Sequence, residues 1–145
     1  MEDNGTFCML AWESLGMNTH GRVRACGRST PNIDNPSLKN VSIGEAWNSN
    51  YYKKLRLDML NGIKNSNCIK CYKEEDLGGT SKRQSFNKRY KSNMNYYSDI
   101  TDNTGSIKNM PSQLDVRVGN ICNLKCTHCW TGNSSKWFED KLMLN

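Results

Sequence analysis

Seven cysteines are the side chains of this 145-residue sequence best suited to chemistry. Three of them, Cys122, Cys126 and Cys129, lie close together with C-x3-C-x2-C spacing. Cysteine thiolates are the usual terminal ligands of iron in a [4Fe–4S] cluster, and a loop of this length can reach three irons of one cube. The fourth iron stays open to a small molecule, and an open position distinguishes a reactive metal site from a structural one. The spacing therefore predicts a cluster with one open coordination position.

The other four cysteines, Cys8, Cys26, Cys68 and Cys71, are the right number for a closed four-thiolate site. Gly21 permits a tight hairpin turn that would bring Cys26 beside Cys8. The C-x2-C pair then closes the site from the following turn. Zinc remains an alternative to an iron–sulfur cluster, because Zn(Cys)4 sites use the same ligands.

The three-cysteine segment has alternatives as well. Zinc could be bound by these three cysteines together with His128 or with the other cysteines, since C-x2-C is a common zinc half-site. The thiols could also be free or redox-active. Metal analysis discriminates between these interpretations.

The predicted compartment is the cytoplasm. The N-terminus lacks the basic and apolar regions of a secretory signal, and no run of 18 apolar residues predicts a membrane span. Structural disulfides are rare in a reducing cytoplasm, and an odd number of cysteines would leave one thiol unpaired. Short cysteine spacings in such a chain indicate metal or redox sites.

The composition predicts a modest core and a soluble surface. Hydrophobic residues make up 36% of the chain, so a bound metal is expected to help stabilise the fold. The net charge of +6 mildly favours anionic partners, although a lysine-rich solvated surface explains it better. Nucleic acid is therefore not an expected partner.

The elements that must position the N-terminal cysteines are short. Residues 7–12 and 21–27 predict two strands of a hairpin, because they are apolar or alternating and are bounded by glycines. Ser42 and Glu45 form the capping box of a helix that should run to about Leu60. The core face of this helix is predicted from its four-residue spacing, at Trp47, Tyr51, Leu55 and Met59.

The second half of the chain is more polar. Residues 80–94 predict a basic, weakly amphipathic helix, and residues 95–112 predict a linker. Alternation at residues 113–118 predicts a strand that ends directly before the three-cysteine loop. A last helix is predicted from Asn133 or Ser134 onwards. The fold class is α+β.

The segment Cys122-Asn-Leu-Lys-Cys126-Thr-His-Cys129 resembles the signature of radical SAM enzymes. In that family the open iron binds S-adenosylmethionine (SAM), and one electron from the cluster releases a 5′-deoxyadenosyl radical that abstracts hydrogen from the substrate. The resemblance places His128 near the adenine of SAM. The family's loop follows the first strand of a partial (β/α)6 barrel, as this loop follows the strand predicted at 113–118.

The spacing Cys8-x12-Gly21-x4-Cys26, followed by Cys68-x2-Cys71, resembles the SPASM/twitch module of many radical SAM enzymes. The resemblance implies an auxiliary iron–sulfur cluster, and four cysteines match the short twitch form. The module usually follows the barrel, whereas here it precedes the signature. The sequence contains the first βα unit of the barrel without the family's Gly-Gly-Glu segment.

These resemblances imply a domain organisation. Residues 1–79 form a cysteine-rich auxiliary module with a hairpin and helices, residues 80–112 a basic helix and linker, and residues 113–145 the start of a truncated radical SAM barrel. The chain is expected to be an N-terminal portion that is not catalytically competent alone.

The implied cofactors are a SAM-binding [4Fe–4S] cluster, a second Fe–S cluster (or zinc) and SAM itself. The expected substrate is a peptide or other small molecule. Flavodoxin or ferredoxin is the expected electron donor, and a second polypeptide could complete the barrel. The alternative is a non-enzymatic, metal-stabilised binding module with a protein or nucleic acid partner.

Overall fold

The structure is a computed structural model that describes residues 4–30 and 32–143. Its described part is a mixed α+β fold, in agreement with the predicted class, in which a three-stranded sheet packs with short helices. The helices and strands are α1 (Leu10–Glu13), β1 (Ser14–Met17), β2 (Val23–Arg24), α2 (Ile43–Trp47), α3 (Asn50–Leu60), α4 (Ile69–Asp76), α5 (Lys82–Arg89), α6 (Met94–Asp99), β3 (Gln113–Val116) and α7 (Phe138–Met143). Two 3-10 turns cover Ser66–Cys68 and Ser135–Trp137.

The hairpin forms, but not from the predicted strands. Residues 7–12 are not a strand, because their C-terminal half lies in α1 and the first strand starts at Ser14. This apolar run is buried along its whole length, and a fully buried run does not distinguish a strand from a helix by its periodicity. The second strand is reduced to Val23–Arg24, and Gly21, with φ +87°, makes the turn between the two.

The capping box predicted at Ser42 and Glu45 is confirmed. The Glu45 N–H donates to Ser42 Oγ (3.2 Å) and the Ser42 N–H donates to the Glu45 carboxylate (2.8 Å). The single long helix is wrong, because the chain leaves α2 at Asn48 and enters α3 at Ser49. The Asn48 amide instead bonds both backbone groups of Ile107, at 2.9 and 3.1 Å.

The break between α2 and α3 changes which aromatic residue is fully buried. Trp47, Leu55 and Met59 lie in the core as predicted, but within α3 Tyr52 rather than Tyr51 is fully buried. The Tyr51 side chain is half-buried, and its hydroxyl accepts a hydrogen bond from the Ala25 N–H (3.1 Å). Tyr51 therefore supports the segment that leads to Cys26.

A buried arginine joins the N-terminal helix to the middle of the chain. The Arg56 guanidinium donates to the carbonyls of Ala11 (3.0 Å), Trp47 (3.0 Å) and Gly105 (3.2 Å), and to Asn48 Oδ1 (3.2 Å). It also stacks over the Trp47 ring, 4.5 Å from the ring centre. Burial lowers the pKa of Arg56 to about 10, so this side chain remains charged at neutral pH.

The predicted linker at 95–112 is instead packed against the core, and the basic helix is shorter than predicted. α5 ends at Arg89, the chain turns at Lys91 with φ 47°, and α6 follows. Ile107 is buried, and the Trp47 indole N–H donates to the Asn109 carbonyl (2.8 Å). The partners of this segment are distant in sequence, so its polar composition does not reveal them.

Gly105 is needed where this packed segment crosses α3. Its φ is +84°, and a Cβ at this position would overlap the Lys53 carbonyl. We expect Gly105→Ala to lower the free energy of unfolding by about 2 kcal/mol, because both the backbone conformation and the close approach would be strained.

Urea titration of purified protein measures this effect. The matched control is Gly44→Ala in α2, where a Cβ meets no atom within 4 Å and no positive φ is required. We expect the control to be neutral or slightly stabilising, because alanine favours helix over glycine. Equal effects of the two substitutions would contradict the role of Gly105.

The strand predicted at 113–118 is confirmed for residues 113–116, and the sheet pairs it in parallel with β1. The strand order is β2-β1-β3, so β3 lies at an edge of the described sheet. Leu114 and Val116 are about half exposed, as expected for a strand with little packed against it. None of the described helices is long and apolar enough to cross a membrane.

Candidate metal centres

Four cysteines from separate parts of the chain line one cavity. Cys8 precedes α1, Cys26 follows β2, Cys68 ends a 3-10 turn and Cys71 lies in α4. The cavity encloses about 350 Å³, including its opening to solvent. We call it the four-cysteine cavity. The structure thus brings together the four residues that sequence analysis grouped, across a separation of more than 60 residues.

Helix α5 holds the backbone on both sides of Cys8. The Phe7 carbonyl accepts hydrogen bonds from Arg83 Nη1 and Asn87 Nδ2, both at 2.8 Å. The Met9 N–H donates to Asn87 Oδ1 (3.0 Å). Residues beyond the cysteine-rich segment therefore help to fix Cys8, whereas sequence analysis predicted α5 only as a basic, weakly amphipathic helix.

The C-x2-C pair is positioned by an asparagine. Asn65 caps the 3-10 turn by accepting from the Asn67 N–H (3.0 Å), and its carbonyl accepts from the Cys68 N–H (3.0 Å). The Asn65 amide in turn donates to the buried Asp58 carboxylate (2.6 Å). This chain of hydrogen bonds connects the turn that carries Cys68 to α3.

Burial keeps the thiols of Cys8 and Cys68 protonated in the metal-free protein. The pKa of Cys68 is raised to about 12, mainly by burial and also by the neighbouring Cys26 and Cys71, while Arg83 opposes the shift. Burial also raises the pKa of Cys8 well above its usual value. Metal ligation requires thiolates, so binding at this cavity must release protons and is favoured by rising pH.

Cationic side chains share the cavity wall with the thiols. They are Arg28, Lys70, Lys82 and Arg83. A set of four thiolates carries negative charge, which nearby cations offset most effectively where water is excluded. The donor set and its charged surroundings therefore fit an anionic metal–thiolate group.

The loop with Cys122, Cys126 and Cys129, which we call the three-cysteine loop, directly follows β3 as predicted. All three thiols are half-buried. The loop is closed at its base, where the Ser135 N–H donates to the Asn120 carbonyl (2.7 Å) and the Asn120 amide donates to the Thr131 carbonyl (3.2 Å).

Two serines hold the backbone of the three-cysteine loop. Ser134 is fully buried, and its hydroxyl donates to the Leu124 carbonyl (2.7 Å). The Ser135 hydroxyl lies 3.2 Å from the Cys122 backbone nitrogen and accepts its hydrogen bond. Neither serine has a sequence signal, because hydroxyl-to-backbone bonds of this kind depend on the path of the loop.

One turn of the three-cysteine loop carries the remaining ligand candidates, Cys126, His128 and Cys129. The Cys129 N–H donates to the Cys126 carbonyl (2.9 Å), and His128 between them is exposed. Within residues 4–30 and 32–143, no three His, Cys, Asp or Glu side chains are arranged to hold a single metal ion. This holds for the four cysteines of the cavity and for the three-cysteine loop alike.

The two cysteine groups belong to different parts of the fold. The four-cysteine cavity is built from residues between α1 and α5, whereas the three-cysteine loop is tied to its own base and to α7. Lys125 in the loop pairs with Asp140 of α7 at 2.6 Å. All seven cysteines lie in the described part of the chain and are free thiols.

Comparison with known proteins bears on the first of these groups. No curated protein and no solved structure matches the chain. Residues 8–72 match the family model of SPASM, an iron–sulfur cluster-binding domain. This segment contains every cysteine of the four-cysteine cavity, so iron–sulfur cluster binding is the function that the match supports for it.

Proposed function

We propose that this chain is a two-cluster iron–sulfur protein of the radical SAM class. The four-cysteine cavity holds the auxiliary cluster, and Cys122, Cys126 and Cys129 hold a [4Fe–4S] cluster that binds SAM. The observation that carries the proposal is the convergence of four cysteines on one cavity, inside the segment that matches an iron–sulfur domain.

The support for the second cluster comes from the three-cysteine loop. Its thiols are all partly accessible, and three thiolates leave one iron of a cube without a protein ligand. When bound there, the cluster and SAM supply a 5′-deoxyadenosyl radical, as the resemblance to the radical SAM signature implies. Ser134 and Ser135 hold the loop backbone, and exposed His128 is available to contact the adenine of SAM.

The parallel strand before this loop supports the proposed barrel context. β3 is an edge strand with half-exposed apolar side chains, so a further strand can pair with it. We propose that a second polypeptide completes the sheet, that flavodoxin or ferredoxin delivers the electron, and that the substrate is a peptide or other small molecule.

The experiment that tests the proposal is electron paramagnetic resonance of the anaerobically reconstituted, dithionite-reduced protein, with and without SAM. We expect iron and sulfide in the purified protein and a change in one cluster signal when SAM is added, because SAM binds the open iron. The signal of the auxiliary cluster, with four protein ligands, should not change.

Other outcomes separate the alternatives. Colourless protein that contains zinc would overturn the proposal and favour a metal-stabilised binding module. Cluster signals that do not change when SAM is added would contradict the radical SAM assignment but not the proposal of an auxiliary cluster. Formation of 5′-deoxyadenosine over many turnovers by the isolated chain would contradict the need for a second polypeptide.

A further inference from the structure

Arg83 is the most deeply buried cation at the four-cysteine cavity. Its side chain is 4% exposed, whereas Lys88 and Arg89 of the same helix are exposed. A hydrogen bond from Nη1 to the carbonyl of Phe7 (2.8 Å), the residue before Cys8, orients the guanidinium. A buried arginine in this position must be explained by its partners, because burying a charge is costly unless it is paired.

One partner of Arg83 is Glu75 of α4. Arg83 Nε and Nη2 donate to the two carboxylate oxygens at 2.9 and 2.7 Å, which is a bidentate pair. Arg83 lines the four-cysteine cavity, whereas Glu75 is not among its lining residues. Of the two, it is therefore the positively charged residue that borders the cysteines.

The match to the SPASM family ends at residue 72, before both residues of this pair. The pair still acts on the matched segment, because Arg83 and Asn87 hold the backbone around Cys8. α5 thus contributes to the cavity both a fixed ligand position and a fixed charge.

We infer that Arg83, oriented by Glu75, is a positioning residue that sets the reduction potential of the cluster in the four-cysteine cavity. One-electron reduction of that cluster, with the electron supplied by a reduced mediator, adds one negative charge beside the guanidinium. A fixed cation stabilises the reduced form and raises the potential. The inference rests on the proposed function, since it requires an iron–sulfur cluster at this site.

Two substitutions that break the same ion pair provide the test. Arg83→Gln removes the positive charge and should shift the midpoint potential of the auxiliary cluster downwards. Glu75→Gln removes the negative charge and should shift it upwards. A purely structural role of the pair would instead move the potential in the same direction in both variants, or lower cluster content equally.

Redox titration monitored by electron paramagnetic resonance measures the potentials, at a pH where carboxylates are ionised. The Cys126→Ser background removes the proposed second cluster, so that one signal is followed. The matched control is Lys88→Gln, which removes the same charge from an exposed position of α5 outside the cavity wall. We expect no shift for the control, because solvent screens exposed charges.

Arg83→Lys keeps the test decisive if Arg83→Gln fails to hold a cluster. This variant retains the positive charge but not the bidentate geometry. The midpoint potential of its auxiliary cluster should therefore stay closer to the wild-type value than that of a variant with an uncharged residue at position 83. A shift for Arg83→Lys as large as that for Glu75→Gln, or no shift for Glu75→Gln, would overturn the inference. Absence of iron from the wild-type protein would instead overturn the proposed function.

Discussion

Replacing one cysteine in each group should remove one cluster and leave the other. We expect Cys126→Ser to lose about four iron atoms per chain, because a [4Fe–4S] cube deprived of one of three protein ligands is not retained. Cys26→Ser should lose the auxiliary cluster instead. The losses should be independent, because the three-cysteine loop is closed by its own hydrogen bonds through Asn120 and Ser135.

Iron and acid-labile sulfide, measured after anaerobic reconstitution and desalting, check this result. Each variant is the matched control for the other, since the substitution is the same and only the site differs. The double variant should contain almost no iron. Unchanged iron content in Cys126→Ser, or complete iron loss in either single variant, would contradict two separate sites.

The second large effect is a loss of folding stability when Arg56 is replaced. This residue belongs to neither cysteine group, but its hydrogen bonds hold the core together. Arg56→Met keeps much of the side-chain volume and removes every donor. The carbonyls of Ala11, Trp47 and Gly105 would then be buried without this partner. We expect the free energy of unfolding to fall by at least about 3 kcal/mol, because hydrogen bonds from charged groups contribute about 1.5–3 kcal/mol each.

Thermal unfolding followed by circular dichroism measures this loss. A drop in Tm of roughly 10 °C corresponds to that energy for a chain of this size. The matched control is Arg89→Met, which removes the same charge from an exposed position at the end of α5. A Tm for Arg56→Met within about two degrees of the control would show that the buried bonds contribute little.

Sequence determined those features whose physical cause lies within a few residues. The Ser42–Glu45 capping box forms because both partners lie on one turn, and alternation at 113–118 was enough to predict β3. The set of three cysteines was also readable from its C-x3-C-x2-C spacing, whereas the set of four was grouped by its number and its resemblance to the SPASM/twitch module.

Tertiary structure decided the features whose partners are far apart. Residues 7–12 are apolar whether helix or strand, and burial on all sides removed the periodicity that would have distinguished them. Residues 95–112 look like a linker because their partners, Asn48 and Trp47, are supplied by another part of the chain. Parallel pairing of β3 with β1 joins strands almost 100 residues apart, and nothing local in either strand specifies it.

The same distinction applies within the candidate site. The candidate ligands were predicted from the sequence, through the C-x3-C-x2-C spacing and through the resemblance of the other four cysteines to the SPASM/twitch module. The surroundings of these cysteines could not be predicted from the sequence. Arg83 belongs to a basic helix and has no sequence feature that distinguishes it, yet in the structure it is buried against Glu75 and Phe7. Sequence therefore determined which residues could hold a metal, whereas packing between distant segments decided the charge and burial around them.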